Sequence, residues 1–261
     1  VKFVLSSALK FDSLSDYKLL DSDGNEVEIA GVTTLGKQSS NGVITTKEPL
    51  DLSKAYSLQM TELDPISVVP NTYFSSMEFK ENYIYDGNDL GVTLTSNSTA
   101  FKLWAPTASK VTLNLFDNGN GGSAYKNIAL VKGDKGVWCH EENENLSGKY
   151  YTYNVVTSMG DQEAVDPYAV SAGLNGNRGM ILDMSTTDPE GWTGEVYDNP
   201  DVTNYTDAVI WEVHVRDFSN MNKASKYKGK YLAFTERGLK NSNGISVGVD
   251  YLVNLGITHV H

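Results

Sequence analysis

Acid–base chemistry needs carboxyl groups held in pairs, and metal chemistry needs several ligands that converge. Glu141, Glu142 and Glu144 form the densest carboxylate cluster. They sit beside Asn143 and Asn145, so the pattern reads as a solvated acidic turn. Asp86 and Asp89 flank Gly87-Asn88, where Asp favours turn geometry; a bound cation is the alternative there. His140, His259 and His261 do not form a metal site by spacing. His259 and His261 share a strand face, and two ligands without a third are insufficient. Trp104, Trp138, Trp192 and the 15 tyrosines are candidate ring platforms for a ligand with an apolar face. Trp104 runs on from an alternating strand into Ala105-Pro106, and Trp138 lies between Val137 and Cys139. Burial is the expectation for both. The pattern assigns no residue a catalytic, substrate-binding or metal-binding role.

The elements that must position these residues are mostly short strands. Residues 1–70 read as a small all-β unit. Asp23-Gly24-Asn25 is a tight-turn signal, Asn41-Gly42 reads as another turn ahead of Val43 to Thr46, and Tyr56 to Met60 alternates in polarity. Residues 71–188 form a second β-rich unit. Phe101, Leu103 and Ala105 fall on one side of a strand, and Val111, Leu113 and Leu115 do the same in the next. Tyr151, Tyr153 and Val155 repeat the pattern. Regular short strands with turn signals predict an antiparallel sandwich.

Residues 189–261 read differently. Ala208 to Val215 is a strongly apolar strand, and a long polar loop follows it. Val249, Leu252 and Val253 then recur at helical spacing, with Gly256 where a helix cap belongs. Ile257 to Val260 opens another strand. This order is that of a parallel βαβ unit. A lone unit of that kind cannot cover both faces of a parallel sheet, so more polypeptide is expected to complete it. Alternation places Ile210, Glu212, His214 and Arg216 on one face of the apolar strand, the face expected to point inward. Two readings stand open for His214, Arg216 and Asp217. They support a site at the strand end, or they form an internal network that only holds the strand.

A chain of 261 residues allows about two domains. Its 40% hydrophobic and 21% charged residues exclude disorder as the main state. The net charge of -12 makes nucleic acid and anionic membranes poor partners. Cys139 is the single cysteine, so no intrachain disulfide forms. No apolar run approaches the ~18 residues that suggest a membrane span. The start at Val1 rather than Met points to trimming, which favours an extracellular or cell-surface location over a cytoplasmic one.

Six ordered segments resemble the debranching pullulanases of the α-amylase superfamily, glycoside hydrolase family 13. They are Tyr83 to Gly91; Phe101-Lys102-Leu103-Trp104-Ala105-Pro106-Thr107-Ala108; Val165 to Ala169 with Asn175 to Gly179; Ala208 to Ser219; Gly229 to Glu236; and Leu255 to His261. The second is similar to the strand signature of carbohydrate-binding module family 48. The resemblance covers roughly residues 70–261. It implies a mainly β chain, with two N-terminal β-sandwich (immunoglobulin-like) domains followed by the first βαβ unit of a TIM (β/α)8 barrel. It also implies hydrolysis of α-1,6-glucosidic linkages in pullulan or starch dextrins with retention. An isoamylase or branching-enzyme relative and a non-catalytic α-glucan-binding module are the alternatives. In this family the catalytic carboxylates lie on later barrel strands, so the expected partners are an α-glucan and the remainder of the barrel, and the chain alone is expected to be inactive. No organic cofactor is implied, and calcium is left open. Whether residues 71–188 bind glucan or only pack also stays open.

Overall fold

The computed structural model describes the chain except for residues 11, 12, 35, 37, 62 and 198–201. It divides into two compact units, Val1–Asp188 and Pro189–His261.

The described residues of the first unit open with the strands β1 (Lys2–Lys10), β2 (Tyr17–Asp21), β3 (Glu26–Val27), β4 (Ile29–Thr34), β5 (Gln38–Thr46), β6 (Tyr56–Met60) and β7 (Ile66–Val68). They form two antiparallel sheets, β1-β5-β4 and β3-β2-β6-β7. Alternate residues point inward, so Phe3, Tyr17, Leu19, Ile44, Leu58 and Met60 make one core. The Asp23-Gly24-Asn25 turn is present. One carboxylate oxygen of Asp21 accepts the backbone N–H of Asp23 at 2.9 Å and of Asn25 at 2.8 Å. Gly24 has φ +82°, a conformation that favours glycine.

Asn41-Gly42 differs from the expected turn. Both residues lie inside β5, where Gly42 pairs with Phe3 and Thr34. A Cβ on Gly42 would meet the Phe3 ring at 2.7 Å and the Thr33 carbonyl at 2.9 Å. The glycine therefore serves close approach within a sheet rather than chain reversal.

Helix α1 (Met77–Tyr83) follows. Ser76 caps it, accepting the Phe79 N–H at 3.1 Å, and Glu78 suits the positive end of its first turn. The strand-by-strand reading of this region missed this helix.

Nine further strands complete the unit: β8 (Gly91–Leu94), β9 (Thr99–Trp104), β10 (Ala108–Phe116), β11 (Lys126–Ala129), β12 (Val131–Lys132), β13 (Val137–Glu142), β14 (Tyr150–Thr157), β15 (Gly160–Ala164) and β16 (Gly179–Met180). They build the sheets β12-β13-β9-β8 and β11-β10-β14-β15, with β16 also on β14. Phe101, Leu103, Val111, Leu113, Leu115, Trp138, Tyr151, Tyr153 and Ile181 fill the space between. The chain is thus mainly β, built from antiparallel sheets.

The second unit holds a parallel pair, β17 (Ile210–Trp211) and β18 (His259–Val260), with Ile210 opposite His259 and Trp211 opposite Val260. Between them run α2 (Val215–Ser219) and α3 (Val249–Asn254). The expected helix and strand after residue 248 are where periodicity put them, and Gly256 has φ +75°. The strand expected over Ala208 to Val215 is much shorter. His214 Nδ1 accepts the Arg216 N–H at 3.2 Å, which caps α2, and Asp217 suits its first turn. Local capping wins over the apolar run, so the alternating inward set does not extend past Trp211.

Candidate functional site

Two places bring together the residue types singled out by sequence: the tryptophans of the second sandwich, and the carboxyl end of the parallel pair.

Trp138 stands opposite Leu103 across the β13–β9 ladder and is 6% exposed. Its Nε1–H donates to the Ala105 carbonyl at 3.0 Å, and the Lys132 ammonium stands 5.8 Å from the ring centroid. Burial is the outcome expected for it. Trp104 is a correction. It faces away from the core and is 39% exposed. Strand alternation explains this directly, because Phe101 and Leu103 point inward and Trp104 follows Leu103. Its Nε1–H is shared between the Tyr83 carbonyl at 2.8 Å and the Lys135 carbonyl at 3.0 Å. Its ring meets the edge of Phe79 at 6.4 Å. Phe79 also packs on Tyr73, Phe74 and Tyr83. Trp104 therefore fastens α1 to the sandwich. Trp192 is exposed in a short 3₁₀ turn of the second unit.

The carboxylate clusters have partners of their own. Glu141 and Glu142 end strand β13 rather than sitting in a turn. Glu142 bonds to Lys126 and to His140, each at 2.7 Å. Burial would raise its pKa, but these bonds outweigh it and hold the carboxyl below the usual range. Asp89 receives the Lys102 ammonium and the Tyr85 hydroxyl, so its charge is matched by a lysine. Hydrogen bonds from those two groups depress its pKa. Among the described residues no group of three or more His, Cys, Asp or Glu side chains is placed to hold a metal.

Glu212, Val213, His214 and His261 line an open cleft at the carboxyl end of the parallel pair. The Val213 N–H donates to the His261 carbonyl at 2.8 Å, and the His261 N–H to the Trp211 carbonyl at 2.9 Å. His214 is thus brought beside His261, a neighbour that sequence spacing did not reveal. Arg216 and Asp217 lie on α2 and do not line the cleft. His259 bonds to Thr258 Oγ1 at 2.8 Å and stacks on Tyr197 at 5.2 Å. That is the hydrogen-bonded strand histidine expected.

Asp166 carries a further buried charge. Its carboxylate accepts the Tyr151 hydroxyl at 2.9 Å and the Tyr168 N–H at 2.8 Å. Burial pushes its pKa up despite both bonds. The sequence signal was the Val165-Asp166-Pro167-Tyr168-Ala169 segment, which points to family likeness and not to burial.

Residues 89–169 match carbohydrate-binding module 48, the isoamylase N-terminal domain. The pullulanase of Bacillus subtilis (strain 168) is 31% identical over 221 residues, covering 84% of this chain and 29% of that protein. The solved pullulanase from Bacillus acidopullulyticus superposes with a TM-score of 0.81 and 25% identity, over 99% of this chain and 45% of that one. A pullulanase from Paenibacillus barengoltzii, solved in complex with maltohexaose and alpha-cyclodextrin, gives a TM-score of 0.64 and 41% identity, over 71% of this chain and 28% of that one. The chain belongs with the N-terminal regions of pullulanases, in glycoside hydrolase family 13. It spans less than a third of the curated relative's length and less than half of the Bacillus acidopullulyticus chain.

Proposed function

We propose that this chain is the accessory region and barrel opening of an enzyme that hydrolyses α-1,6-glucosidic linkages in pullulan or starch dextrins. The observation that carries the reading is the superposition on a pullulanase over 99% of the chain. The β17–α3–β18 order, with its parallel ladder, supports a barrel opening. Retention of configuration needs two carboxyl groups about 5–5.5 Å apart, one ionised and one protonated near neutral pH. Glu142 and Asp89 are each committed to a lysine, so neither is free for that work. On this reading the bond-cutting pair lies outside residues 1–261. Trp138 serves packing, and Trp104 holds α1, so residues 71–188 act mainly as a support for the catalytic part. The α-glucan is the substrate, and the rest of the barrel is the partner that completes the sheet. The test compares the 261-residue chain with its longer parent on pullulan. Reducing ends should appear with the parent alone. Their release by the short chain would overturn the assignment of the catalytic carboxylates.

A further inference from the structure

Asparagine followed by glycine is the pair at which a backbone rearranges most readily, because no side chain on the glycine hinders its nitrogen. The pair occurs at Asn41-Gly42, Asn118-Gly119, Asn120-Gly121, Asn175-Gly176 and Asn243-Gly244. The reaction joins the glycine nitrogen to the asparagine Cγ, so the peptide group between the two residues must turn. Hydrogen bonds to that group oppose the turn. The five pairs differ in what holds it.

Four of the pairs are held. Asn41-Gly42 lies in β5, the middle strand of its sheet, paired with β1 on one side and β4 on the other. The Gly176 N–H donates to the Gly173 carbonyl at 3.0 Å, and the Gly244 N–H to the Asn241 carbonyl at 3.0 Å. At Asn118-Gly119 the Asn118 carbonyl accepts the Arg178 guanidinium at 2.6 Å. Gly119 is also crowded, since a Cβ there would meet the Tyr150 ring at 2.8 Å and Gly173 Cα at 2.9 Å. Asn120-Gly121 differs from all of these. Among the described residues, no group bonds to the Asn120 carbonyl or to the Gly121 N–H. Both residues are exposed, and nothing lies within 4 Å of a Cβ built on Gly121. The Arg178 fork takes the Asn118 carbonyl before this peptide and those of Gly121 and Gly122 after it. The fork fixes the loop on both sides and leaves the 120–121 peptide to turn.

We propose that Asn120 is the modification site of this chain, the asparagine that deamidates in the folded state through a succinimide formed with Gly121. The Gly121 nitrogen gives up its proton and bonds to Asn120 Cγ. The Cγ–Nδ2 bond breaks, and the departing nitrogen takes up a proton and leaves as ammonia. Water then opens the ring at either carbonyl, giving aspartate or isoaspartate. Either product places a negative charge in the loop that Arg178 holds, and isoaspartate adds a methylene to the backbone between residues 120 and 121. The proposal stands apart from the α-glucan reading above.

The test incubates the 261-residue chain at mildly alkaline pH and follows each pair by peptide mapping, with fragmentation to tell neighbouring sites and isoaspartate apart. Asn120 should convert about tenfold or more faster than Asn41, Asn118, Asn175 and Asn243. In denaturant the five should convert within about threefold of one another, because the fold no longer holds any of them. N120Q should abolish the fast conversion while keeping the wild-type circular dichroism spectrum. R178K should raise conversion at Asn118 and narrow its gap to Asn120, since a lysine cannot hold the loop carbonyls as the guanidinium does. Another pair converting first, or equal rates in the folded chain, overturns the proposal. A lead for Asn120 that persists undiminished in denaturant overturns the structural cause, because sequence alone would then set it. An unchanged ratio of Asn118 to Asn120 in R178K overturns the role given to the fork.

Discussion

At the scale of single residues, the two tryptophans of the second sandwich separate packing from fastening. Trp138→Ala should cost about 3–5 kcal/mol, because it empties a large site in the core and removes one of the two donors to the Ala105 carbonyl, leaving the Ala108 N–H. A urea unfolding midpoint reads this directly. Retention of starch by the variant, measured under folding conditions, should be unchanged. Trp104→Phe keeps the ring contact with Phe79 but removes a shared donor, so its cost should be about 0.5–1.5 kcal/mol. Asp166 adds a pH signature. Its carboxyl has a raised pKa in the folded state, chiefly through burial, so folding favours the protonated form. Its stabilising contribution is therefore present below the unfolded value, about 3.9, and is lost as pH rises through the folded one. Asp166→Asn keeps an acceptor oxygen for the Tyr168 N–H, replaces the other oxygen with an amide that donates to the Tyr151 hydroxyl, and removes the titration. The melting temperature of the wild type relative to this variant should fall as pH rises from about 4 to 7. A difference that rises instead would contradict the burial argument.

At the scale of elements, two loops and a strand show what local signals carry. The Asp23-Gly24-Asn25 turn was readable because Asp21 accepts nearby backbone N–H groups, a purely local device. Asn41-Gly42 carried the same kind of signal and was misread. Its meaning depends on Phe3, far away in sequence, whose ring fills the space a side chain would need. Gly42→Ala should destabilise the first sandwich by about 1–3 kcal/mol, and Phe3→Leu should relieve part of that loss in a double-mutant cycle. Arg178 provides a second case. Its guanidinium lies 3.5 Å from the centroid of Phe116 and donates to the carbonyls of Asn118, Gly121 and Gly122. A lysine cannot reproduce that fork. Arg178→Lys should therefore speed amide exchange in the 118–122 loop, with strands β9 and β13 unchanged. The shortened β17 follows the same logic in reverse, since a cap at His214 was hidden within an apolar run.

At the scale of the whole molecule, burial is unevenly shared. The two sandwiches each hold a cluster of fully buried apolar side chains. Among the described residues of 189–261, Ala233 and Leu252 are the buried hydrophobic ones. Ile210, Val253, Leu255 and Val260 are exposed there. Stability should be distributed accordingly. In the 261-residue chain, hydrogen exchange across 189–261 should run much faster than across β9, β10 and β14. Equal protection in both units would show that the second one has an adequate core of its own.

Sequence by itself determined the strand alternation, the change from sandwich to βαβ order and the family likeness, because periodicity and motif order are local properties of the chain. It also set the strand pattern that sends Trp104 outward, one residue past the inward-facing Leu103. Tertiary structure alone decided that Trp104 fastens a helix, that Gly42 makes room for Phe3, that Glu142 and Asp89 are matched by lysines and that His214 lies beside His261. Each of these depends on groups distant in sequence meeting at a few ångströms, where contact and charge act, and no spacing rule encodes which ones meet.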